Sequence, residues 1–191
     1  MIFIAFQKTV DKWKLKKWFQ VFAPKVFENK EICEIPANNE KTILNRNLKI
    51  GLNLLTNNVY NSNTNLILKI IDVANQSAHT KILRIELQDS YINSIVRKDH
   101  NAIETRTPVV SKDNNKIIIK AIAITRQRVA NTKIKEIRKE MNNNIEEYCK
   151  KLDSDSIVKA FVERKFHSEL INKLKKIVPI SKFEFKKIEL N

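Results

Sequence analysis

Two groups of basic side chains have the spacing to bind the phosphates of a nucleic acid, and the denser group lies in the second half of the chain. It places six cations within fourteen residues, and Glu136 is the only acid among them. The six are Arg126, Arg128, Lys133, Lys135, Arg138 and Lys139. Guanidinium and ammonium groups neutralise backbone phosphates and position a protein on a nucleic acid. The run therefore predicts an interface for the RNA backbone.

The second group interleaves lysines with aromatic residues near the N-terminus. Its lysines are Lys12, Lys14, Lys16 and Lys17, and its aromatic residues are Trp13, Trp18 and Phe19. Such a mixture is typical of phosphate contact combined with base stacking. It is also typical of aromatic side chains that anchor a segment to the core while the lysines extend to solvent. We expect the four lysines to contact RNA, and we expect Trp18, Phe19 and Val21 to be buried.

The elements that position the first group are a strand and a helix. Residues 116–124 are rich in β-branched side chains and predict a strand buried on both faces. The apolar residues that follow recur at intervals of three and four, which is one face of a helix. They are Ile134, Ile137, Met141, Ile145, Tyr148 and Leu152. A core strand would thus lead into a basic turn and a basic amphipathic helix.

The remaining pattern predicts an α+β fold. Strands are expected at residues 31–35, 49–55, 66–73, 81–87 and 103–110. The last of these should form a hairpin with the central strand, with residues 111–115 as the turn. A polar loop is expected at 74–79, and a short helix is expected after Asp89-Ser90. Two more short helices should follow the basic helix: one is capped at residues 153–156, and the other begins at about Ser168. A closing strand is expected at 183–190. Its alternation of apolar and polar residues shifts by one position near Lys186 and Lys187, which predicts a β-bulge.

This order predicts a β-barrel-like or curled mixed sheet flanked by helices, with the helices concentrated in the C-terminal third. We expect one domain over residues 1–191. About residues 10–125 would form its β-rich core, and about 126–191 would carry the basic helix, two short helices and the closing strand.

Composition limits the class of partner. The chain has 36 Lys and Arg against 21 Asp and Glu, a formal net charge of +15, which favours a nucleic acid ahead of an anionic membrane. The apolar runs are far shorter than the roughly 18 residues of a membrane span. The expected basic helix carries Ile and Met on its apolar face rather than the Trp and Phe that anchor a helix at a membrane surface, so no membrane partner is expected. Residues 1–6 are too short for a signal-peptide core, which indicates a cytosolic protein. Cys33 and Cys149 are expected to be reduced, buried thiols.

Glycine is almost absent, because Gly51 is the only one in 191 residues. Turns that require positive φ must then use Asn or Asp. We expect the asparagines at 38–39, 57–58, 114–115 and 142–144 to fill this role. The same scarcity argues against a glycine-rich phosphate-binding loop.

No pattern in the sequence indicates catalysis, a metal site or a cofactor. His79, His100 and His167 lie in or near expected loops or helix starts, with no Cys or His at ligand spacing. Asp99 and His100 are adjacent, which gives them no shared face for acid–base chemistry. We therefore expect a protein that is not an enzyme.

Four stretches in order resemble one known family. The first is Trp18-Phe19-x-Val21-x-Ala23-Pro24-x-x-Phe27. The others are residues 90–98, the turn, strand and basic helix at 111–141, and residues 175–179 with the closing strand. Together they are similar to the S-three-Ae (S-one-e) family of archaeal and eukaryotic small-subunit ribosomal proteins. The short form, without a lysine-rich N-terminal tail, resembles the archaeal members.

The resemblance implies a cytoplasmic structural constituent of the small ribosomal subunit that supports translation. It implies ribosomal RNA and neighbouring platform proteins as partners, near the exit of messenger RNA, with messenger RNA and initiation factors as further candidates. The residues alone leave three alternatives open: a free-standing RNA-binding translational regulator, an enzyme acting on a polyanion, and a protein of the membrane surface.

Overall fold

The computed structural model describes Trp13 and residues 16–190. The strands are β1 Lys17–Phe22, β2 Glu31–Ala37, β3 Asn47–Gly51, β4 Thr64–Ala74, β5 Ser77–Leu87, β6 Ala102–Val110, β7 Lys116–Thr125 and β8 Ile180–Leu190. The helices are α1 Leu52–Thr56, α2 Asp89–Ile95, α3 Asn131–Cys149, α4 Ser154–Val162 and α5 Lys165–Leu174.

Strand β5 organises the mixed sheet. It pairs along its length with β4, and β3 pairs with the far edge of β4. The first part of β5 also pairs with β1, in parallel, and its last part pairs with β8. The order across the sheet is β2-β1-β5-β8-β7-β6, and all pairs except β1 with β5 are antiparallel. Over the described residues the sheet is open rather than closed into a barrel.

The predicted α+β class is confirmed, and the three longer helices follow residue 130 as expected. These helices cover one face of the sheet and enclose the main core with it. The shorter α2 lies on the other face, where Ile92 packs with Ile122 and Ile124 of β7. Strand β7 is therefore buried on both faces, but only from Ala121 onward; its first half alternates between buried and accessible side chains.

The secondary structure differs from the prediction at residues 49–55 and 74–79. The strand expected at residues 49–55 ends at Gly51, and α1 begins at the next residue. Leu52 and Leu55, three positions apart, share the buried side of that helix. The loop expected at 74–79 is a tight turn, because Asn75 and Gln76 have φ of 48° and 68° and allow the β4–β5 hairpin to close directly.

Asparagine replaces glycine at several turns, as the composition predicts. Asn57 and Asn114 have φ of 51° and 60°, which confirms two of the expected positions. The prediction was wrong for residues 142–144, which lie inside α3, and for Asn39, whose φ of −139° is extended.

The closing strand contains the predicted bulge. Lys120 of β7 pairs with Lys187, whereas Ala121 pairs with Phe185. Lys186 is therefore an extra residue in β8. The shift in the alternation of apolar and polar residues at this point predicted the bulge correctly.

Candidate nucleic-acid interface

Helix α3 is held firmly against the sheet. It packs across β6, and Ile137, Met141 and Ile145 of its apolar stripe are completely buried. The hydroxyl of Thr107 in β6 also donates a hydrogen bond to Asn142 Oδ1 at 2.8 Å. The predicted amphipathic helix is confirmed, and its polar face is left for solvent or a ligand.

The turn between β7 and α3 is fixed by buried hydrogen bonds. Thr125 is fully buried, and its Oγ1 accepts a bond from the backbone N–H of Asn101 at 3.0 Å. The side-chain oxygen of Asn101 accepts a bond from the N–H of Val129 at 2.8 Å. These contacts give Arg126 and Arg128 an ordered backbone. The roles of Asn101 and Thr125 were not predicted from the sequence, because only the fold brings these two positions together.

All six cations of this group are exposed. Lys133 Nζ lies 2.9 Å from Glu136 Oε2, and Arg128 lies 4.0 Å from Asp99. Both pairs are solvent-exposed, so each contributes little to stability and leaves its cation available. The other four form no ion pair with a described residue; they are Arg126, Lys135, Arg138 and Lys139. The helix adds to this positive potential, since its first turn contains no acid and its N-terminus carries partial positive charge.

The N-terminal group is only partly described. Lys12 and Lys14 lie outside the described residues. Lys16 Nζ lies 3.5 Å from the centroid of the Trp13 ring, a cation–π contact, and Lys17 is exposed at the start of β1. In the strand order, β5 and β8 separate β1 from β7. Over the described residues, the structure therefore does not place Lys16 and Lys17 beside the basic run that follows β7.

The aromatic residues of β1 divide between its two faces. Phe19 and Val21 are 2% and 0% exposed, which confirms their predicted burial. Trp18 is 57% exposed, so its predicted burial was wrong. Side chains alternate along a strand, and Trp18 lies on the face opposite Phe19, level with Pro36 of β2.

A buried acid–base cluster lies between α5 and β8, and it was not predicted from the sequence. Glu184 accepts a hydrogen bond from Arg164 at 2.7 Å, and His167 Nε2 lies 3.6 Å from the same carboxylate. Burial raises the pKa of Glu184, but His167 and Arg164 outweigh burial and hold that pKa below its usual range. The adjoining cavity of about 30 Å³ suits one water rather than a substrate. The cluster therefore ties α5 to the sheet.

The thiols are not poised for chemistry. Burial raises the pKa of Cys149 to about 12, and it also raises the pKa of the partly buried Cys33. Within Trp13 and residues 16–190, no three His, Cys, Asp or Glu side chains group closely enough to hold a metal ion. Nor does that part of the chain contain a helix both long and apolar enough to cross a membrane.

Comparison with known proteins identifies the family. The family model described as the Ribosomal S3Ae family matches residues 5–191. The chain belongs to the Ribosomal S3Ae family. The four sequence motifs described above resemble this same family. The match covers the basic turn and α3 as well as the β-rich part.

Similar members of the Ribosomal S3Ae family come from archaea. The small ribosomal subunit protein eS1 of Archaeoglobus fulgidus is 35% identical over 182 residues, covering 94% of this chain and 86% of that protein. The protein of the same name from Staphylothermus marinus is 33% identical over 180 residues, covering 94% and 85%. That from Haloarcula marismortui is 30% identical over 175 residues, covering 92% and 82%.

Proposed function

We propose that this chain is a structural, non-enzymatic constituent of the small ribosomal subunit that binds ribosomal RNA and supports translation. The observation that carries the proposal is membership of the Ribosomal S3Ae family over nearly the whole chain. The relatives named as small ribosomal subunit proteins are matched along more than four fifths of their own length. The net charge of +15 suits a polyanionic partner.

The residues proposed to contact ribosomal RNA are the two basic groups. In the first, Arg126 and Arg128 stand on a hydrogen-bonded turn, and four further cations line the exposed side of α3. An ordered backbone lowers the entropic cost of binding, because fewer side chains and loops must be fixed on contact. In the second, we propose that Lys12, Lys14, Lys16 and Lys17 form a separate contact; of these, Lys17 begins β1.

We also propose a location for the chain. It would lie in the cytoplasmic ribosome, on the platform of the small subunit near the exit of messenger RNA. Neighbouring platform proteins, messenger RNA and initiation factors are the further partners that we propose. We propose in addition that residues 1–191 act as one domain, because the long β8 pairs with strands from both the early and the late parts of the chain.

Cosedimentation of the full chain with small ribosomal subunits tests the main proposal. Gradients are run at low and high salt, with the bound fraction measured by immunoblot. We expect stable retention at both, since a structural constituent has many phosphate contacts within folded RNA. Full release at modest salt would contradict the proposal and favour a free-standing translational regulator.

The messenger RNA contact needs its own experiment. Small subunits containing the chain are assembled with a messenger RNA that carries 4-thiouridine upstream of the start codon, and cross-linked proteins are identified. A cross-link to this chain supports placement near the exit. Cross-links to other platform proteins but none to this chain would contradict a direct contact.

A further inference from the structure

A third set of cations lies on the face of the sheet opposite α3. Arg106 of β6 pairs directly with Lys120 of β7, and Lys120 pairs directly with Lys187 of β8. Directly paired residues point to the same face, with Cβ atoms about 5 Å apart. Their neighbours Thr107, Ile119 and Ile188 point the other way and are buried. We call Arg106, Lys120 and Lys187 the cation row.

The cation row is unfavourable for the isolated protein. Like charges placed directly opposite each other on adjacent strands destabilise a sheet. Here two such pairs stand side by side, and Lys120 belongs to both. Lys120 and Lys187 are also only partly exposed, so water screens their repulsion less than it would at an open surface.

Three acids nearby are already engaged in ion pairs, whereas Asp89 at the start of α2 forms none with a described residue. Glu86 is shared by Lys49 at 3.1 Å and Arg84 at 3.3 Å, Glu104 pairs with Lys186 at 2.9 Å, and Glu189 contacts Lys187. Arg106 and Lys120 form no ion pair with any residue from 16 to 190. The hydrogen bond from Lys187, with the charges of Lys187, Lys120 and Arg84, holds the pKa of Glu189 below its usual range despite some burial.

The cation row borders an open cleft of about 480 Å³ beside the start of α2. Five cations and three carboxylates line the cleft, an excess of two positive charges. The cations are Lys49, Arg106, Lys120, Lys186 and Lys187, and the carboxylates are Glu86, Asp89 and Glu104. The β8 bulge has a consequence here: its extra residue allows the consecutive Lys186 and Lys187 to line the same cleft.

We propose that this cleft is a phosphate-binding site for the RNA backbone and that the cation row contacts the phosphates. The site deepens, and rests on, the proposed ribosomal RNA binding. With strands about 4.8 Å apart, the three cations span about 10 Å in a line. A linear row suits an extended polyanion, whereas a free phosphate is held by a compact cluster. The cleft is also open to solvent, as a passing nucleic-acid strand requires.

The site is distinct from the two predicted groups. Helix α3 packs on the core face of β6, and the cation row lies on the opposite face of the same end of the sheet. One straight RNA segment cannot lie along both faces of a sheet. The site therefore binds a different stretch of RNA from the one at α3, or a strand that passes around the β6 edge.

The double substitution Arg106→Gln/Lys120→Gln tests this site. It removes the two cations that lack an ion pair and leaves Glu86, Glu104 and Glu189 with their direct ion-pair partners. Arg46→Gln/Lys151→Gln is the matched control, since it removes one Arg and one Lys that are exposed and lie away from the cleft. The RNA probe is transcribed small-subunit ribosomal RNA, with affinity measured by filter binding across a salt series.

We expect the double variant to reduce the slope of log K against log salt by about 1.4 to 1.8, which is 0.7 to 0.9 for each of two phosphates that are no longer neutralised. We expect its melting temperature to stay the same or rise, because the cross-strand repulsion is relieved. The control variant should leave the slope nearly unchanged. An unchanged slope in the double variant, with wild-type binding intact, would overturn the site without affecting the proposed function.

Two further measurements distinguish RNA from other ligands of the cleft, namely a small anion and an acidic protein. Inorganic phosphate is titrated while the melting temperature is followed; stabilisation of the wild type together with an unchanged RNA slope in the double variant would indicate a small-anion site and overturn the RNA assignment. Loss of the double variant from small-subunit particles with an unchanged RNA slope would indicate an acidic protein neighbour and also overturn it. Failure of the wild type itself to bind the RNA would instead contradict the proposed function.

Discussion

Helix α3 and the cation row present positive charge in opposite ways. The cations of α3 are close together in sequence, exposed and spread over one element that stands on a buried apolar stripe. The cation row is assembled from residues up to 81 positions apart, 106 to 187, and it exists only because three strands pair in one register. Charge that is local in sequence can be recognised from the sequence, whereas charge assembled by strand register cannot.

The two surfaces also differ in their cost to the free protein. Charges on α3 are well hydrated and can separate, so displaying them costs little stability. Charges in the cation row stand on directly paired strand positions, so their Cβ atoms stay about 5 Å apart and the charged ends have less freedom to separate. The comparison predicts that removing charge from α3 affects RNA binding alone, whereas removing it from the row affects RNA binding and also relieves repulsion within the sheet.

The largest expected effect concerns the docking of α3. Ile137→Asp places a charge in a completely buried position and should cost about 4 kcal/mol or more, enough to undock the helix or unfold the chain. Urea denaturation followed by circular dichroism measures the change. The adjacent Arg138→Asp is the control: it should keep stability within about 0.5 kcal/mol while it weakens RNA binding. Equal destabilisation by both would contradict the assignment of buried and exposed sides.

The next effect concerns the charge on α3 and on the turn that precedes it. Replacing Arg126, Arg128, Arg138 and Lys139 by Ala should reduce the salt slope of RNA binding by about 0.7 to 0.9 for each phosphate that these side chains neutralise. The melting temperature should change little, because these side chains are exposed and form at most weak surface pairs. A slope equal to that of the wild type would rule out α3 as an RNA-binding element.

Low pH tests the Glu184 cluster that ties α5 to β8. Glu184 lies in β8, the strand that also carries Lys187, and it holds α5 through Arg164. Because its pKa is lowered in the folded state, its contribution is complete above the unfolded value of about 4.3 and is lost as the pH falls through the folded pKa. Stability measured from pH 6 to pH 3 should therefore fall less steeply in Glu184→Gln than in the wild type. Parallel curves would contradict the role of this carboxylate.

The last prediction concerns the two faces of β1, where the effect on stability at Trp18 is expected to be small. Because its side chain is 57% exposed, Trp18→Ala should cost less than about 1 kcal/mol, whereas Phe19→Ala should cost about 3 to 5 kcal/mol. Thermal or urea denaturation of the two variants measures the difference. A large cost at Trp18 would mean that the indole packs against the chain, as the sequence first indicated.

Much of the fold could be predicted because periodicity reports burial. The strand at β7, the stripe of α3 and the bulge at Lys186 all follow from the spacing of apolar residues. Errors arose where the pattern was short or ambiguous. Leu52 and Leu55 suit a strand or a helix equally well, and the turn at Asn75 lacks the glycine that normally marks a tight hairpin.

The candidate sites differ in whether their residues are neighbours in the sequence or are brought together only by the fold. The basic run at α3 was predicted because its members are neighbours in the chain. Asn101 beside Thr125, Glu184 beside Arg164, and the cation row could not be predicted, because each depends on which strands pair and in which register. Trp18 was predicted incorrectly although the alternation with Phe19 and Val21 contained the answer.

The most direct test of RNA binding on both faces of the sheet is a cryo-EM map of small ribosomal subunits from the organism that encodes the chain. We predict density for this chain within the particle, with RNA phosphates against Arg126 and Arg138 on one face of the sheet and against Arg106 and Lys120 on the other. A particle that contains the chain with either face open to solvent, or small subunits that lack the chain altogether, would contradict this prediction.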